Sequence, residues 1–438
     1  MNVRIETYGC AVNQSDSEIM AGLLSQAGFS ISTDADADIL IINTCTVKTP
    51  TENKIIKLLK GLTGKKVIVT GCMPAANPSF SDDFPEFSFI GTNVQDIVAA
   101  VECTASGGRF VKISKIAKRF WYPEIARGNF MIGAPSEKVC TAKIRKNPVV
   151  EIVQISEGCL GGCAYCLTKS ARGDLISYPL EKIVSDIKGA VSTGAKEIWL
   201  TSQDTGAYGK DIGGSLPHLI RAVCEIEGDF RVRVGMMNPN HVLGFPDDLI
   251  KAYKNEKLYK FLHLPVQSGD DGVLSAMGRK YKAEDFARIV KRFRAEISGV
   301  TISTDVICGL PGEDDKAFEN TLELIRRTMP DVMNISRFWP RAGTKAAGMK
   351  QHPGRVTKAR SRRMNEIFKE IALENNKKWI GWQGEAFVCE ANEGNYNFTA
   401  RNFAYKPILL KSRDDLFGRR INVRIKGATF YDFRGAVV

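Results

Sequence analysis

The stretch Ser156-Glu157-Gly158-Cys159-Leu160-Gly161-Gly162-Cys163-Ala164-Tyr165-Cys166 places three cysteines within eight positions, with the spacing C-x3-C-x2-C. Spacers this short let three thiolates face one centre, as the ligands of an iron–sulfur cube do. Zinc usually requires a fourth Cys or His nearby, and none of the four histidines lies in this loop. The spacing therefore favours a 4Fe-4S cluster with one iron left open, over zinc or three buried thiols.

Predicted strands and helices alternate on both sides of this loop. Residues 149 to about 345 contain six predicted strands, at 149–155, 197–201, 231–235, 260–264, 301–307 and 334–338. This repeat favours a partial (β/α)6 barrel, whose active site would lie at the C-terminal strand ends, where the cysteine loop falls.

The first hundred residues repeat the strand–helix alternation on a smaller scale. Strands are predicted at 3–7, 38–43 and 65–70, and helices at 15–28, with Ser15 as N-cap, and at 52–62. This order is typical of an α/β fold with a doubly wound parallel sheet.

Each of these three strands ends at a cysteine, namely Cys10, Cys45 or Cys72. The C-terminal ends of parallel strands share one edge of a sheet, and ligands bind there. We therefore expect these cysteines to converge on a second iron–sulfur cluster; the alternative is that three thiols follow strands by chance.

Composition limits the classes of protein that fit. A chain of 438 residues is expected to form two or three domains, and a net charge of +12 favours a polyanionic partner. The start lacks the apolar core of a signal peptide, and no apolar run approaches the roughly 20 residues of a membrane span. Eleven cysteines then indicate metal or redox chemistry in the cytoplasm, without a membrane partner. Five of them are expected to pack as small hydrophobic side chains: Cys103, Cys140, Cys224, Cys308 and Cys389.

Two further segments carry basic residues. A connector at 103–148 places lysines and arginines beside Phe120-Trp121-Tyr122, which suits phosphate contact and base stacking, or equally a solvated linker. A basic helix at 351–380 precedes a β-rich tail at 381–438. Within this tail the alternating run 421–426 would bury one face and present a basic one, which makes Arg420, Arg424 and Lys426 candidates for RNA contact.

The C-x3-C-x2-C loop, with the aromatic Tyr165 before its third cysteine, resembles the signature of the radical S-adenosylmethionine (SAM) enzymes. In that family the open iron binds SAM, and one electron cleaves it to a 5′-deoxyadenosyl radical that removes a hydrogen atom from the substrate. The resemblance implies a radical SAM domain at about 149–350. Its pocket candidates are Tyr165, Gln203, Gln267, Ser268 and Asp305, although each polar one could instead be a cap or turn residue.

Three N-terminal motifs narrow the resemblance to the methylthiotransferases. They are Thr7-Tyr8-Gly9-Cys10-Ala11-Val12-Asn13-Gln14, Asn43-Thr44-Cys45-Thr46-Val47 and Gly71-Cys72-Met73-Pro74. The resemblance implies that residues 1–102 hold an auxiliary 4Fe-4S cluster for sulfur delivery, so that the chain would carry two clusters as well as SAM. It also implies that the tail is a small all-β TRAM barrel that binds RNA.

The run from Cys166 to Tyr178 resembles the archaeal and eukaryotic branch of that family. This branch converts N6-threonylcarbamoyladenosine at tRNA position 37 to its 2-methylthio form, which implies tRNA, an electron donor and a sulfur source as partners. Two alternatives remain open. The substrate could be isopentenyl-adenosine tRNA or a ribosomal protein, or the chain could be a non-catalytic iron–sulfur protein that binds RNA or senses redox state.

Overall fold

The computed structural model describes residues 1–47, 49–113 and 138–438. Its first unit is a parallel sheet of six strands in the order β2-β1-β3-β4-β5-β6. The strands are β1 (Asn2–Thr7), β2 (Ser30–Ile31), β3 (Ile39–Thr44), β4 (Val67–Gly71), β5 (Ser88–Ile90) and β6 (Val111–Lys112). The helices are α1 (Ala11–Gln26), α2 (Thr49–Lys60), α3 (Cys72–Ala76) and α4 (Ile97–Ala105).

Both faces of this sheet are covered, which confirms the predicted doubly wound fold. Helices α1 and α4 pack on the face to which Ile41 points, and α2 packs on the face to which its neighbour Ile42 points. Successive strand residues alternate between two apolar cores because side chains of a strand point to opposite faces. Strand β6 extends the sheet to Lys112, beyond the expected boundary at residue 102.

The predicted start of the first helix is wrong by four residues. Helix α1 begins at Ala11, and its N-cap is Cys10, whose backbone is extended at φ −89°. Ser15 lies inside the helix, where its buried hydroxyl donates to the Ile152 carbonyl at 3.1 Å. The serine joins the helix to a strand of the central domain, a contact that the local capping pattern does not reveal.

The central unit contains the six predicted strands, all parallel. They are β7 (Val150–Gln154), β10 (Glu197–Thr201), β11 (Arg231–Val234), β12 (Phe261–His263), β13 (Thr301–Cys308) and β14 (Val332–Arg337), with the short pair β8 (Ser156–Glu157) and β9 (Ile176–Ser177) beside β7. The helices are α5 (Thr168–Arg172), α6 (Leu180–Ser192), α7 (Leu216–Cys224), α8 (Pro239–Val242), α9 (Pro246–Tyr253), α10 (Asp271–Ala276), α11 (Ala283–Glu296) and α12 (Asp315–Thr328).

These strands form a partial barrel in two halves, β7-β10-β11 and β12-β13-β14. Backbone hydrogen bonds join the halves, among them Val232 N to Lys257 O at 2.7 Å, Tyr259 N to Val232 O at 2.9 Å and Met237 N to His263 O at 2.9 Å. Among the described residues, β7 and β14 pair with only one barrel strand each, so the barrel stays open between them. The predicted (β/α)6 architecture is confirmed.

Helix α13 (Gly354–Lys377) leads to a closed all-β barrel, as predicted for the tail. Its strands are β15 (Gln383–Ala391), β16 (Phe398–Asn402), β17 (Pro407–Leu410), β18 (Arg420–Ala428) and β19 (Phe433–Val437), in the order β15-β16-β17-β19-β18. The small barrel contacts residues at the N-terminal ends of the central strands. Lys260 N donates to Phe403 O at 2.8 Å, and the Thr301 hydroxyl donates to Ala404 O at 2.7 Å. The tail therefore sits at the end of the central barrel opposite the cysteine loop.

None of the described helices is both long and apolar enough to cross a membrane.

Candidate metal centres

The C-x3-C-x2-C loop lies at the C-terminal end of β7, within the mouth of the central barrel. The Gly161 amide donates to the Cys159 sulfur at 3.1 Å. A Cβ added at Gly161 would lie 3.2 Å from the Cys159 sulfur and 3.7 Å from the Cys163 sulfur. A side chain at this position would crowd the Cys159 sulfur, which favours glycine there. The backbone hydrogen bond from Ala164 N to Met277 O, at 2.9 Å, fastens the loop to the barrel.

Tyr165, within this loop, is held by a half-buried arginine. Arg279 donates to the Tyr165 hydroxyl at 2.5 Å and lies over the rings of Tyr165 and Tyr281. Burial raises the pKa of Tyr165 well above its usual range, so the phenol stays neutral. Burial also raises the pKa of Cys163, and the Arg279 charge opposes that rise. No motif in the sequence pointed to Arg279.

The N-terminal cysteines converge from three separate strand ends. Cys10 and Cys72 lie with their sulfurs 3.9 and 3.7 Å from the same atom, Asn13 Oδ1. A Cβ at Gly9, whose φ is +125°, would lie 3.1 Å from the Cys45 sulfur. The shared edge of the parallel sheet thus brings together thiols up to 62 residues apart, from Cys10 to Cys72.

The chemistry of both triplets suits an iron–sulfur cluster, because three thiolates can each bind a different iron of one cube. Burial raises the pKa of Cys45 and of Cys159 to about 11. At neutral pH these thiols keep their protons unless a metal replaces them.

A buried arginine connects the two triplets. Arg172, the last residue of α5, is 1% exposed. Its Nη2 donates to Asn13 Oδ1 at 3.0 Å and to Asp16 Oδ2 at 2.7 Å. Helix α5 packs directly on α3, where Ala171 contacts the apolar cluster around Cys72. Helix α5, which follows the C-x3-C-x2-C loop, thus lies against α3, which begins at Cys72.

Lys138 completes a buried ionic network at this interface. Its Nζ lies 2.7 Å from Asp16 Oδ1 and forms a second ion pair with Glu157. Burial alone would raise the pKa of Asp16, but the charges of Arg172 and Lys138 outweigh it and hold that pKa below its usual value. The network therefore stays charged inside the protein.

A second polar cluster follows β10 and β11 at the barrel mouth. Asp204 accepts from the amides of Gly206 and Asn238, both at 3.1 Å, and lies 3.4 Å from His241. Burial raises the pKa of Asp204 to about 6 and lowers that of His241 to about 4. His241 Nδ1 lies 2.7 Å from the Lys210 ammonium. The sequence motif pointed to the neighbouring Gln203 but not to Asp204.

The predicted pocket residues differ in whether their side chains already have hydrogen-bond partners. Gln203 and Gln267 each have a buried side-chain oxygen without a hydrogen-bond partner in the described part of the chain. Ser268 is fully buried, accepts from the Asp270 amide and contacts the Thr321 hydroxyl. Asp305 accepts from Asn334 at 2.7 Å and lies 3.1 Å from His263. The two glutamines are thus the members with an unused polar atom.

An exposed aromatic residue follows the last strand of the central barrel. Trp339, just after β14, is 39% exposed, and the Arg337 guanidinium stands 4.9 Å from its ring centre. The preceding Phe338 packs in the apolar cluster that includes Tyr165. Two residues later, Arg341 donates to the backbone and hydroxyl of Thr46, next to Cys45.

The predicted RNA-contact residues of the tail differ in exposure and in ion pairing. Arg420 is half-buried and forms ion pairs with Asp229 of the central domain, at 2.8 Å, and with Glu385, at 2.7 Å. Arg424 and Lys426 are exposed. In the connector, the stretch 115–123 lies outside the described residues, and Lys143 is paired with Glu151 and Asp186.

The other five cysteines divide by burial. Cys224, Cys308 and Cys389 are buried as predicted, and Cys103 is half-buried. The prediction is wrong for Cys140, which is exposed in a turn with φ at +57°.

Comparison with known proteins defines the class. The family "Radical SAM superfamily" matches residues 153–325, and "Uncharacterized protein family UPF0004" matches residues 2–90. The fold resembles the radical SAM methyltransferase TsrM of Kitasatospora setae (TM-score 0.56, 14% identity, 81% of this chain and 79% of that one). It also resembles the cobalamin-dependent radical enzyme OxsB (TM-score 0.52, 12% identity, 84% and 56%). The loop, the barrel and these matches define a radical SAM enzyme.

Full-length relatives define the family within that class. A protein of Pyrococcus abyssi named "Probable threonylcarbamoyladenosine tRNA methylthiotransferase" is 46% identical over 94% of this chain and 93% of its own length. The threonylcarbamoyladenosine tRNA methylthiotransferase of Danio rerio is 39% identical over 97% of this chain and 76% of its own. The chain belongs to the threonylcarbamoyladenosine tRNA methylthiotransferase family.

Proposed function

We propose that this chain replaces a ring hydrogen of threonylcarbamoyladenosine in tRNA by a methylthio group. The observation that carries the proposal is the pair of cysteine triplets, each at the C-terminal edge of its own parallel sheet and joined by the contact of α5 with α3. The names of the full-length relatives supply the substrate.

Cys159, Cys163 and Cys166 are the proposed ligands of a 4Fe-4S cluster that binds SAM at its open iron. When bound, this pair supplies a 5′-deoxyadenosyl radical, which can remove hydrogen from a carbon that no acid or base deprotonates easily. Gln203 and Gln267 each offer an unpaired acceptor oxygen, which suits the ammonium or hydroxyl groups of SAM. Arg279 donates a hydrogen bond to the Tyr165 hydroxyl and so holds this side chain of the loop in place.

Cys10, Cys45 and Cys72 are the proposed ligands of the second 4Fe-4S cluster, which takes part in sulfur delivery. The convergence of Cys10 and Cys72 at Asn13 and the close approach of Gly9 to Cys45 support this role. Cys10 is exposed while the other two are buried, so the site opens to one side.

The bonds broken and formed in the net reaction determine which co-reactants it requires. One ring C–H bond would break, together with one sulfonium C–S bond in each of two SAM molecules, and one ring C–S bond and one S–CH3 bond would form. One SAM would supply the methyl group and leave as S-adenosylhomocysteine. The other, cleaved with one electron, would leave methionine and carry the hydrogen away as 5′-deoxyadenosine. The sulfur atom and the electron must come from a sulfur source and an electron donor outside the chain.

The proposed RNA path follows from the position of the tail. The small barrel sits at the end of the central barrel opposite the cysteine loop, so a bound tRNA has to reach along the open side near β14. Trp339 offers an exposed stacking face there, and Arg424 and Lys426 offer charge on the tail. The net charge of +12 supports a polyanionic substrate.

The proposal is tested by nucleoside analysis of tRNA after incubation with the reconstituted protein, SAM, a reductant and a sulfur source. The expected product is the 2-methylthio derivative of threonylcarbamoyladenosine. Methylthiolation of isopentenyl-adenosine instead, or SAM cleavage with no change to any tRNA nucleoside, would reject this substrate.

A further inference from the structure

Arg172 is a residue of the radical SAM domain whose charged group lies inside the N-terminal site. It follows Cys166 by six positions, yet its guanidinium is bonded to Asn13 and Asp16, at 3.0 and 2.7 Å. Asn13 Oδ1, which accepts one of these bonds, is the atom that faces the sulfurs of both Cys10 and Cys72. The Asn13 side chain therefore connects the guanidinium to two of the three N-terminal cysteines, Cys10 and Cys72.

One arm of the guanidinium has unused hydrogen-bonding capacity. Nη2 makes both of these bonds, whereas Nη1 has no hydrogen-bond partner among the described residues and lies 3.7 Å from Glu157. The Arg172 guanidinium carries a fixed positive charge and is bonded to the Asn13 amide oxygen, which lies 3.7 Å from the Cys72 sulfur. The side chain is 1% exposed, so water screens this charge little.

The reduction potential of an iron–sulfur cluster depends on nearby charge and on hydrogen bonds to its sulfurs. A fixed cation stabilises the reduced form, which carries one more negative charge, and so raises the potential. We propose that Arg172 is a positioning residue that raises the reduction potential of the auxiliary cluster and makes that potential depend on contact between the two domains. This inference rests on the second cluster of the proposed function.

The position of Arg172 in the chain explains how the two sites would be coupled. Because Arg172 ends α5, any displacement of the radical loop that separates α5 from α3 withdraws the cation from the auxiliary site. The auxiliary cluster would then become harder to reduce. One residue thus links the state of the radical site to the electron affinity of the sulfur-delivery site.

The test uses the full chain with Cys159, Cys163 and Cys166 changed to Ala, so that only the auxiliary cluster remains. Its potential is measured by redox titration followed by electron paramagnetic resonance. Arg172→Gln should lower the potential by at least about 59 mV, a tenfold change in the one-electron equilibrium constant. Arg172→Lys, which keeps the charge but loses the fork of donors, should lower it by less.

Lys138→Gln is the matched control, because Lys138 belongs to the same ionic network and its ion pairs are with Asp16 and Glu157. It should shift the potential by less than half as much. An unchanged potential in Arg172→Gln, or an equal shift in Lys138→Gln, would overturn the inference. If Arg172→Gln does not retain iron, Arg172→Met, which is also neutral, is measured in its place and judged by the same shift of at least about 59 mV. A parent protein without iron would instead reject the second cluster itself.

Discussion

Arg341 donates from Nη2 to the Thr46 hydroxyl at 2.8 Å, although 295 residues separate them. Thr46 follows Cys45 directly, and Arg341 also forms an ion pair with Glu52 at the start of α2. The loop after the last strand of the central barrel is therefore bonded to the loop that carries an N-terminal cysteine. With Arg172 bonded to Asn13 and Asp16, two buried arginines of the radical SAM domain fasten the region of the N-terminal cysteines.

Arg341→Ala should separate sulfur delivery from radical formation. The loss of charge-assisted hydrogen bonds to buried partners is expected to cost about 2 to 3 kcal/mol in the free energy of unfolding. Product formation should fall, whereas SAM cleavage without tRNA should persist, since the side-chain partners of Arg341 in the described part of the chain are Thr46, Thr49 and Glu52, not residues of the C-x3-C-x2-C loop.

Arg363→Ala is the control for that variant, because Arg363 pairs with Glu319 on the exposed surface. It should change stability by no more than about 1 kcal/mol. Equal losses of stability and product in the two variants would remove the special role of the Arg341 contact.

Iron content tests the two triplets separately. Anaerobically reconstituted protein should hold about eight irons, four for each cube. Changing Cys159, Cys163 and Cys166 together to Ala should halve the iron and abolish 5′-deoxyadenosine. The matched triple change of Cys10, Cys45 and Cys72 should also halve the iron but leave SAM cleavage intact. Full iron retention in either variant would contradict the assignment of its ligands.

Glu18 should give the protein a pH dependence that one substitution removes. Burial raises the pKa of this carboxyl to about 7, against bonds from the Lys146 amide and Gln14. A folded-state pKa above the unfolded value means that the folded state binds the proton more tightly. The resulting stability is full below the unfolded pKa and is lost as pH rises through about 7.

Glu18→Gln, which keeps the size of the side chain, should flatten this part of the curve. The difference between wild type and variant, measured by denaturant unfolding from pH 5 to 8, should reach at most about 3 kcal/mol. Parallel curves over that range would show that Glu18 does not titrate as described.

The tail should bind tRNA mainly through charge. Each phosphate contact adds roughly 0.7 to 0.9 to the slope of log affinity against log salt concentration. Changing both Arg424 and Lys426 to Ser should therefore flatten that slope by about 1.4 to 1.8 if each contacts one phosphate. Arg420→Ser should act chiefly on the docking of the tail, because Arg420 is already paired with Asp229 and Glu385. An unchanged slope in the double variant would place the RNA elsewhere.

The sequence predicted features that depend on local pattern. The apolar runs gave the parallel strands, and the position of Cys10, Cys45 and Cys72 after three of them was enough to expect convergence, because strand ends share an edge. The barrel followed from the same alternation repeated six times.

Features that depend on distant pairing were not visible in the sequence. Nothing local to Arg172 indicates that its partners are Asn13 and Asp16, more than 150 residues earlier. The same holds for Ser15, which resembles an N-cap but bonds to Ile152 instead. Arg420 fits the basic face of a strand, yet its charge is used within the protein. Pattern identifies the residue type, and only tertiary contact decides which partner it meets.

The most direct test of the central claim is mass spectrometry of nucleosides from tRNA that contains threonylcarbamoyladenosine, after reaction with wild type and with Cys45→Ala. Wild type should yield the 2-methylthio nucleoside, and Cys45→Ala should yield none while still forming 5′-deoxyadenosine. Equal amounts of the 2-methylthio nucleoside from both proteins, or none from wild type with intact clusters, would contradict an enzyme that joins a radical site to a sulfur-delivering one.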